Sequence, residues 1–373
     1  MKTKSLILLL TTVILSSCAK SYSLEFNLKE YPEELSFHTE AQDGYFLDSY
    51  EYIGTYAKSS NEDLGKSIPI NITWEAKTNI KNPIYHFEYS VNEDLSNSKT
   101  IETNTESVDL NNLYLNTTYY YRVSSNNPDT KTTYVSDIGS FKTTGLGLRN
   151  LNIPSLSNIR DLGGQIIENG KRIKQGLIYR SAAFNTAYTT EITISDEDIS
   201  YLVNELGIKT DIDLRNNEEE SKGIENGGIT SSILGESVTY MHFPMIYRSS
   251  NILERPSNLE SIQNFFEALS DINNYPMVFH CSQGKDRTGG LAYVLELIFG
   301  ESHEDAMKDY LFSNFSNVGS VHRTHIEGDA MIYGVIKKYE NGETLQEKAY
   351  NYLVEKLEIP EETISKIKGI LME

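Results

Sequence analysis

Two patterns of apolar and polar residues divide this chain. Between residues 67 and 145, apolar and polar positions alternate with a period of two in short runs, as at residues 70–74, 85–91 and 119–123. Such alternation is typical of strands that bury one face, and turn residues separate the runs. The pattern predicts an antiparallel all-β sandwich over residues 67–145.

Beyond residue 150 the pattern changes to alternating helices and strands. Ser195 precedes a helical segment that runs to about Leu206, and residues 257–269 have the spacing of a second amphipathic helix. A predicted strand follows each of them. Alternation of this kind predicts an α/β domain, with a central sheet flanked by helices, over residues 150–373. The run Gly-Leu-Gly-Leu at residues 145–148 marks the predicted boundary.

One segment of the second region carries candidate chemistry. Residues 280–290 read His-Cys-Ser-Gln-Gly-Lys-Asp-Arg-Thr-Gly-Gly, between apolar runs that predict a strand before them and a helix after them. A helix N-terminus presents unpaired backbone N–H groups and the positive end of the macrodipole, which favour anions and stabilise a thiolate. Arg287 follows Cys281 at a spacing that lets its guanidinium grip two oxygens of a bound oxyanion. The segment predicts an anion-binding loop with a nucleophilic cysteine.

This loop resembles the signature His-Cys-x5-Arg-Thr/Ser of cysteine-dependent protein tyrosine phosphatases. Its core Gly-Lys-Asp-Arg-Thr-Gly resembles the bacterial branch that includes atypical tyrosine and dual-specificity phosphatases. Segments at residues 158–164, 173–182 and 206–215 resemble the opening segments of that family in sequence and order. The resemblance implies covalent catalysis, in which Cys281 attacks phosphorus and water then hydrolyses a phosphocysteine, with no metal or other cofactor.

The loop residues have distinct expected roles. The hydroxyl of Thr288 can donate to the cysteine sulfur and ease the departure of phosphate in the second step. Lys285 is either a cation at the pocket rim that suits a second phosphate, or a solvated surface lysine. The expected phosphate-binding residues are Ser282, Gln283, Gly284, Lys285, Asp286 and Arg287.

Two aspartates are candidates for the general acid. Many tyrosine phosphatases supply it from an aspartate upstream of the cysteine, but the comparable stretch here, residues 240–245, contains no aspartate. Asp286 lies inside the loop, and Asp213 ends a predicted strand. We favour Asp286, because the Gly-x-Asp-Arg arrangement resembles phosphoinositide phosphatases that take their acid from this loop. Arg180 and Arg215 are candidates for buried ion pairs.

The beginning of the chain has the features of an exported lipoprotein. Residues 1–17 combine early lysines with a short apolar run, which predicts a signal peptide, and Leu-Ser-Ser-Cys at residues 15–18 resembles a bacterial lipobox. Cys18 would then carry lipid, and residues 18–66 would be a lipidated N-terminus and tether on the periplasmic or surface face of the cell membrane. Cys281 would be the single thiol of the mature protein.

The β-sandwich region has its own resemblance. Its early Trp74 and the alternating run at residues 113–123 resemble a fibronectin type III module, in which Tyr119 would be the corner tyrosine. We expect this module to be a spacer or a recognition domain, since it contains no catalytic constellation.

Three functions are compatible with these observations. The leading one is a phosphatase for phosphotyrosyl proteins, or for phosphoserine and phosphothreonine as well. The second is a phosphatase for phosphoinositides or inositol phosphates, which Lys285 and Asp286 suggest. The third is a surface binding protein whose phosphatase-like domain only captures anions. The formal net charge of −20 argues against nonspecific binding to nucleic acid, which needs basic patches.

Overall fold

The computed structural model describes residues 22–58, 62–167, 170–187, 190–216, 231–246, 252–317 and 332–373. The predicted signal peptide and Cys18 lie outside these ranges. Among the described residues, no helix has the length and apolar character needed to cross a membrane. Contacts divide the chain into two compact units. The first comprises Met1–Glu30, Thr73–Val108 and Tyr120–Gly139, and the second comprises Tyr31–Ile72, Asp109–Tyr119 and Ser140–Glu373.

Each of the described ranges contains strands or helices. The strands are β1 Leu24–Leu28, β2 Ile70–Thr78, β3 Tyr85–Ser90, β4 Lys99–Thr103, β5 Ser107–Leu110, β6 Thr118–Asn126, β7 Thr133–Val135, β8 Gly139–Lys142, β9 Arg149–Asn150, β10 Arg160–Asp161, β11 Ile178–Ser181, β12 Asn185–Ala187, β13 Thr190–Thr193, β14 Thr210–Asp213, β15 Thr239–His242 and β16 Met277–His280. The α-helices are α1 Glu40–Leu47, α2 Ile53–Tyr56, α3 Asp196–Ser200, α4 Leu259–Leu269, α5 Asp286–Phe299, α6 His303–Phe312, α7 Ile332–Lys338, α8 Leu345–Glu355 and α9 Glu361–Leu371. A π-helix, Tyr201–Glu205, continues α3, and short 3₁₀ turns lie at Tyr50–Tyr52, Ile252–Glu254, Pro256–Asn258 and Ile272–Asn274.

The strands predicted from alternation are present in two antiparallel sheets. One sheet has the order β1-β2-β5, and the other has the order β4-β3-β6-β7, with β8 also paired to β6. In the first unit, aromatic rings pack between strands of the two sheets: Trp74 of β2 stacks on Phe87 of β3, with ring centroids 5.8 Å apart. Phe87 stacks in turn on Tyr121 of β6 at 5.3 Å. Stacked aromatic pairs add stabilisation beyond the area that they bury.

A six-stranded sheet lies at the centre of the second unit. Its order is β15-β14-β16-β11-β10-β9, with β15, β14, β16 and β11 parallel and the last two strands antiparallel. Successive side chains of β16 point to opposite faces: Met277 and Phe279 join the buried cluster that includes α4, α5 and α6, whereas Val278 joins a second cluster with Leu202 and Ile208. The sheet is therefore covered on both faces, which confirms the predicted α/β architecture.

The segment predicted to be a tether is folded over much of its length. Helix α1 begins with a capping box, in which the side chains of Thr39 and Gln42 accept each other's backbone N–H groups. Phe46 at the end of α1 is buried and stacks on Phe312 of α6, with ring centroids 5.6 Å apart and planes inclined by 9°. The Nζ of Lys308 donates to the Phe46 carbonyl at 2.9 Å. Residues 31–72 therefore belong to the same compact unit as residues 140–373.

We expect Phe46→Ala to lower the free energy of unfolding by about 3–5 kcal/mol, because the substitution removes a buried ring and leaves a cavity. Urea unfolding followed by circular dichroism measures the change. The matched control is Leu47→Ala, since the adjacent Leu47 side chain is 77% exposed and its loss should change stability by no more than about 0.5 kcal/mol. Equal effects of the two substitutions would contradict the packing role of α1.

Candidate active site

The predicted strand, loop and helix lie where the sequence placed them. Strand β16 ends at His280, α5 begins at Asp286, and the five residues between them form the loop. The Cys281 side chain is only 3% exposed. Gly284 has a φ of +66°, and a Cβ atom there would lie 2.3 Å from the Ser181 carbonyl oxygen. Both the conformation and the close approach require glycine at this position.

Groups outside the loop hold its backbone carbonyls. Nη2 of Arg180 donates to the Gly284 carbonyl at 2.7 Å, and Nδ2 of Asn158 donates to the Gln283 carbonyl at 3.0 Å. The backbone N–H of Ala183 donates to the Ser282 carbonyl at 3.2 Å. In a planar trans peptide the N–H points opposite to the C=O, so the N–H groups that follow these carbonyls point away from the supporting residues. Successive N–H groups that face one side form an anion-binding concavity.

Two buried arginines share one carboxylate beside the loop. Nε of Arg160 donates to Oδ1 of Asp309 at 2.5 Å, and Nη1 of Arg180 donates to Oδ2 of the same residue. Burial alone would raise the pKa of Asp309, but Arg160 and Arg180 outweigh it and hold that pKa below its usual value. Asp309 is therefore ionised at neutral pH. The structure confirms the prediction that Arg180 is a buried ion-pair partner.

Asp213 lies in a second buried network. Its carboxylate accepts hydrogen bonds from Nη2 of Arg215 at 2.7 Å, from the Arg215 backbone N–H at 2.9 Å and from the Tyr240 hydroxyl at 3.0 Å. Burial would raise the pKa of Asp213, but His280 and Arg215 lower it to about 2. Asp213 is thus an ionised partner of Arg215, and an ionised carboxylate has no proton to donate. The prediction of a buried ion pair at Arg215 is confirmed.

His280 connects this second network to the nucleophile. Its Nε2 lies 3.1 Å from Oδ1 of Asp211, and its Nδ1 lies 3.3 Å from the Cys281 carbonyl oxygen. Burial would lower the pKa of His280, but Asp213 and Asp211 outweigh it and raise that pKa. The raised pKa favours the protonated imidazole, and its Nδ1 contacts the backbone of the nucleophilic residue.

Arg287 and Thr288 lie in the first turn of α5, both buried. Nη1 of Arg287 donates to the Met245 carbonyl at 3.2 Å and to the Leu214 carbonyl at 3.4 Å. Its Nη2 lies 3.5 Å from Oγ of Ser282 in the loop. Oγ1 of Thr288 is buried and has no hydrogen-bond partner among the described residues. Arg287 is therefore oriented across the loop by backbone carbonyls.

The other two charged loop residues differ in exposure. Lys285 is only 3% exposed, so it is not a solvated surface lysine. Asp286 is half-buried at the start of α5, and its Oδ1 accepts a hydrogen bond from the Tyr310 hydroxyl at 3.0 Å. The structure thus brings all the predicted loop residues together and places Asp213 in a separate, fully buried network.

Sequence reasoning assigned no role to several residues that support the loop. Asn158 has a φ of +57°, a conformation in which asparagine is enriched among non-glycine residues. Asp309 and Tyr310 adjoin each other on α6, far from the loop in sequence. A local sequence pattern does not indicate that Asp309 forms ion pairs with arginines on β10 and β11.

Comparison with known proteins agrees with this geometry. Residues 151–373, more than half of the chain, match the model of the tyrosine phosphatase family. A Cupriavidus necator protein named "Putative tyrosine-protein phosphatase H16_A0669" is 28% identical over 186 residues, which cover 46% of this chain and 65% of that relative.

Similarity to solved structures is weaker. The core catalytic domain of the PP-IP phosphatase SIW14 from S. cerevisiae has 17% identity and a TM-score of 0.27, over 43% of this chain and 80% of that one. P. aeruginosa TpbA has 18% identity and a TM-score of 0.26, over 38% of this chain and 71% of that one. Scores this low do not establish a shared fold, so the assignment depends on the family match. By that match, the chain belongs to the tyrosine phosphatase family.

Proposed function

We propose that the protein is a cysteine-dependent protein tyrosine phosphatase that hydrolyses phosphomonoesters through a phosphocysteine. The observation that carries this proposal is the loop between β16 and α5: it contains Cys281, Arg287 follows in the first turn of α5, and Arg180 and Asn158 hold the loop's carbonyls. Family membership supports the same reaction. Chemistry of this kind uses no metal, because the loop's N–H groups and Arg287 neutralise the phosphoryl oxygens.

In the first step, the Sγ of Cys281 attacks phosphorus as the thiolate. A sulfur–phosphorus bond forms while the bond from phosphorus to the leaving oxygen breaks, and that oxygen takes a proton from the general acid. Arg287 binds two phosphoryl oxygens in this step. Its hydrogen bonds to Met245 and Leu214 are long, 3.2 and 3.4 Å, whereas a bidentate pair with an oxyanion joins two opposite charges in a matching fork geometry.

Asp286 is the proposed general acid. It is half-buried at the end of the loop, at the first position of α5, whereas Asp213 is fully buried and carries its charge in the ion pair with Arg215. A proton donor has to reach the leaving oxygen directly or through one water. Asp286, as the more exposed of the two, is better placed for this contact.

The second step restores the free cysteine. A water molecule loses a proton to Asp286 and attacks phosphorus, the sulfur–phosphorus bond breaks, and inorganic phosphate leaves. The sulfur departs as a thiolate, and the buried hydroxyl of Thr288 at the start of α5 is proposed to donate to it.

We expect Cys281→Ser to abolish essentially all turnover and to retain binding of a phosphate analogue such as tungstate. The hydroxyl is a poor nucleophile at this position, but the N–H groups and Arg287 still bind the anion. Initial rates and isothermal titration calorimetry measure the two properties. Steady turnover by this variant would exclude the phosphocysteine mechanism.

Asp286→Asn should lower kcat on phenyl phosphate by about 100-fold or more, the range of general acid catalysis. It should lower kcat on p-nitrophenyl phosphate far less, because that leaving group needs little protonation. Asp213→Asn is the comparison: it weakens the Arg215 ion pair and should affect both substrates alike. Equal losses on the two substrates in Asp286→Asn would remove Asp286 from the acid role.

A second candidate function is the hydrolysis of phosphoinositides or inositol phosphates. The observation that favours it is Lys285, a buried cation within the loop that suits a substrate with more than one phosphate. Values of kcat/KM for phosphotyrosyl peptides, phosphoseryl peptides and phosphoinositides decide between the two classes. Binding of tungstate without turnover of any of these substrates would instead support the third function, that of a surface binding protein.

For the remainder of the chain we propose an exported, lipid-anchored protein with a fibronectin type III-like module. The module is supported by the Tyr119 hydroxyl, which accepts the Tyr114 backbone N–H at 2.8 Å, as a corner tyrosine does. The anchor is supported by the sequence of residues 1–18 alone.

Cys18→Ser tests the anchor. Lipidation of this thiol would hold the protein in the membrane fraction, and its loss should move the protein to the soluble fraction with phosphatase activity unchanged. Fractionation and immunoblotting of cells that express each form give the distribution. Equal partition of the two forms would contradict lipid attachment at Cys18.

A further inference from the structure

Tyr310, the residue after Asp309, contacts Asp286 at the end of the loop. Tyr310 is 3% exposed on α6, and its hydroxyl donates to Oδ1 of Asp286 at 3.0 Å. Asp286 itself is half-buried at the first position of α5. The buried Tyr310 is thus hydrogen-bonded to the Asp286 side chain at the start of α5.

Gly289 allows the ring of Tyr310 to lie this close to α5. A Cβ atom at position 289 would lie 2.8 Å from Cδ2 of Tyr310 and 2.8 Å from Nη2 of Arg180. A real Cβ does not come that close to other heavy atoms, so a side chain at 289 would displace one of them. The absence of a side chain therefore lets α6 pack directly against the first turn of α5, where Asp286 lies.

The ring of Tyr310 is fixed from its own helix as well. The preceding residue, Asp309, is bound by both Arg160 and Arg180, and Arg180 also donates to the Gly284 carbonyl. The loop is thus connected through Arg180 to α6, the helix that also carries Tyr310. These shared contacts restrict their relative position, which is the requirement for a preorganised site.

We propose that Tyr310 is a positioning residue for Asp286, an inference that rests on the proposed acid role of Asp286. With Oδ1 bound by the tyrosine hydroxyl, Oδ2 is the oxygen that carries the proton. It passes that proton to the leaving oxygen as the bond to phosphorus breaks. The carboxylate that remains keeps its hydrogen bond from Tyr310. The torsion of a carboxyl group about its last bond is broad, and the hydrogen bond from Tyr310 restricts it.

The test is Tyr310→Phe, which keeps the ring and removes the hydroxyl. We expect kcat on phenyl phosphate to fall about 10- to 100-fold, as for a misplaced catalytic group, with KM unchanged and less than about a threefold loss on p-nitrophenyl phosphate. Tyr293→Phe is the matched control, since Tyr293 is also buried and its hydroxyl contacts Nδ1 of His303 at 2.9 Å rather than Asp286. This control should change kcat on the two substrates equally.

The double variant Asp286→Asn/Tyr310→Phe separates positioning from general destabilisation. If Tyr310 acts through Asp286, its substitution causes no further loss in the Asp286→Asn background. Additive losses, or equal losses on both substrates in Tyr310→Phe, would overturn the proposal. A leaving-group effect in Asp286→Asn without one in Tyr310→Phe overturns the positioning role alone. No such effect in Asp286→Asn overturns the acid role and the positioning role together.

Discussion

The carboxylate of Asp309 between Arg160 and Arg180 is the interaction on which the loop geometry depends. It joins α6 to β10 and β11, and Arg180 extends the connection to the Gly284 carbonyl. All three side chains are buried. Removal of one partner from a buried ion pair leaves an uncompensated charge and costs about 3–5 kcal/mol. A substitution at Asp309 would therefore disturb the loop without touching any loop residue.

Helix α6 combines three functions in four consecutive residues. Asp309 holds the arginines, Tyr310 contacts Asp286, and Phe312 stacks on Phe46 of α1. The guanidinium of Arg160 also lies 5.6 Å from the Phe312 ring centroid, within the range of a cation–π contact. The N-terminal segment therefore packs on the helix that positions the loop. This explains why residues well outside the family match fold into the same unit as the loop.

The sequence predicted the structural elements that depend on neighbouring residues in the chain. A strand, a glycine-containing loop and a helix around Cys281 follow from neighbouring residues, and so does the alternation of β2, β3 and β6. The Gly-x-Asp-Arg arrangement favoured Asp286 as the acid, but local pattern could not show that Asp213 is buried in an ion pair with Arg215. Helix α1 was missed for a related reason. It has eight residues, and a helix that short is stabilised by tertiary packing rather than by its own propensity.

Glu296 completes the electrostatics of the Asp309 cluster. Burial and the neighbouring Asp309 raise the pKa of Glu296 well above its usual value, which favours its neutral form. Burial also lowers the pKa of Arg160, to about 10, which still leaves this arginine charged. Two cationic arginines against one carboxylate give the group Arg160, Arg180 and Asp309 a net charge of about +1. That charge lies behind the crown of a phosphate-binding loop in a protein of net charge −20. The excess of arginine in this buried group thus places positive charge near the loop, although the chain as a whole is acidic.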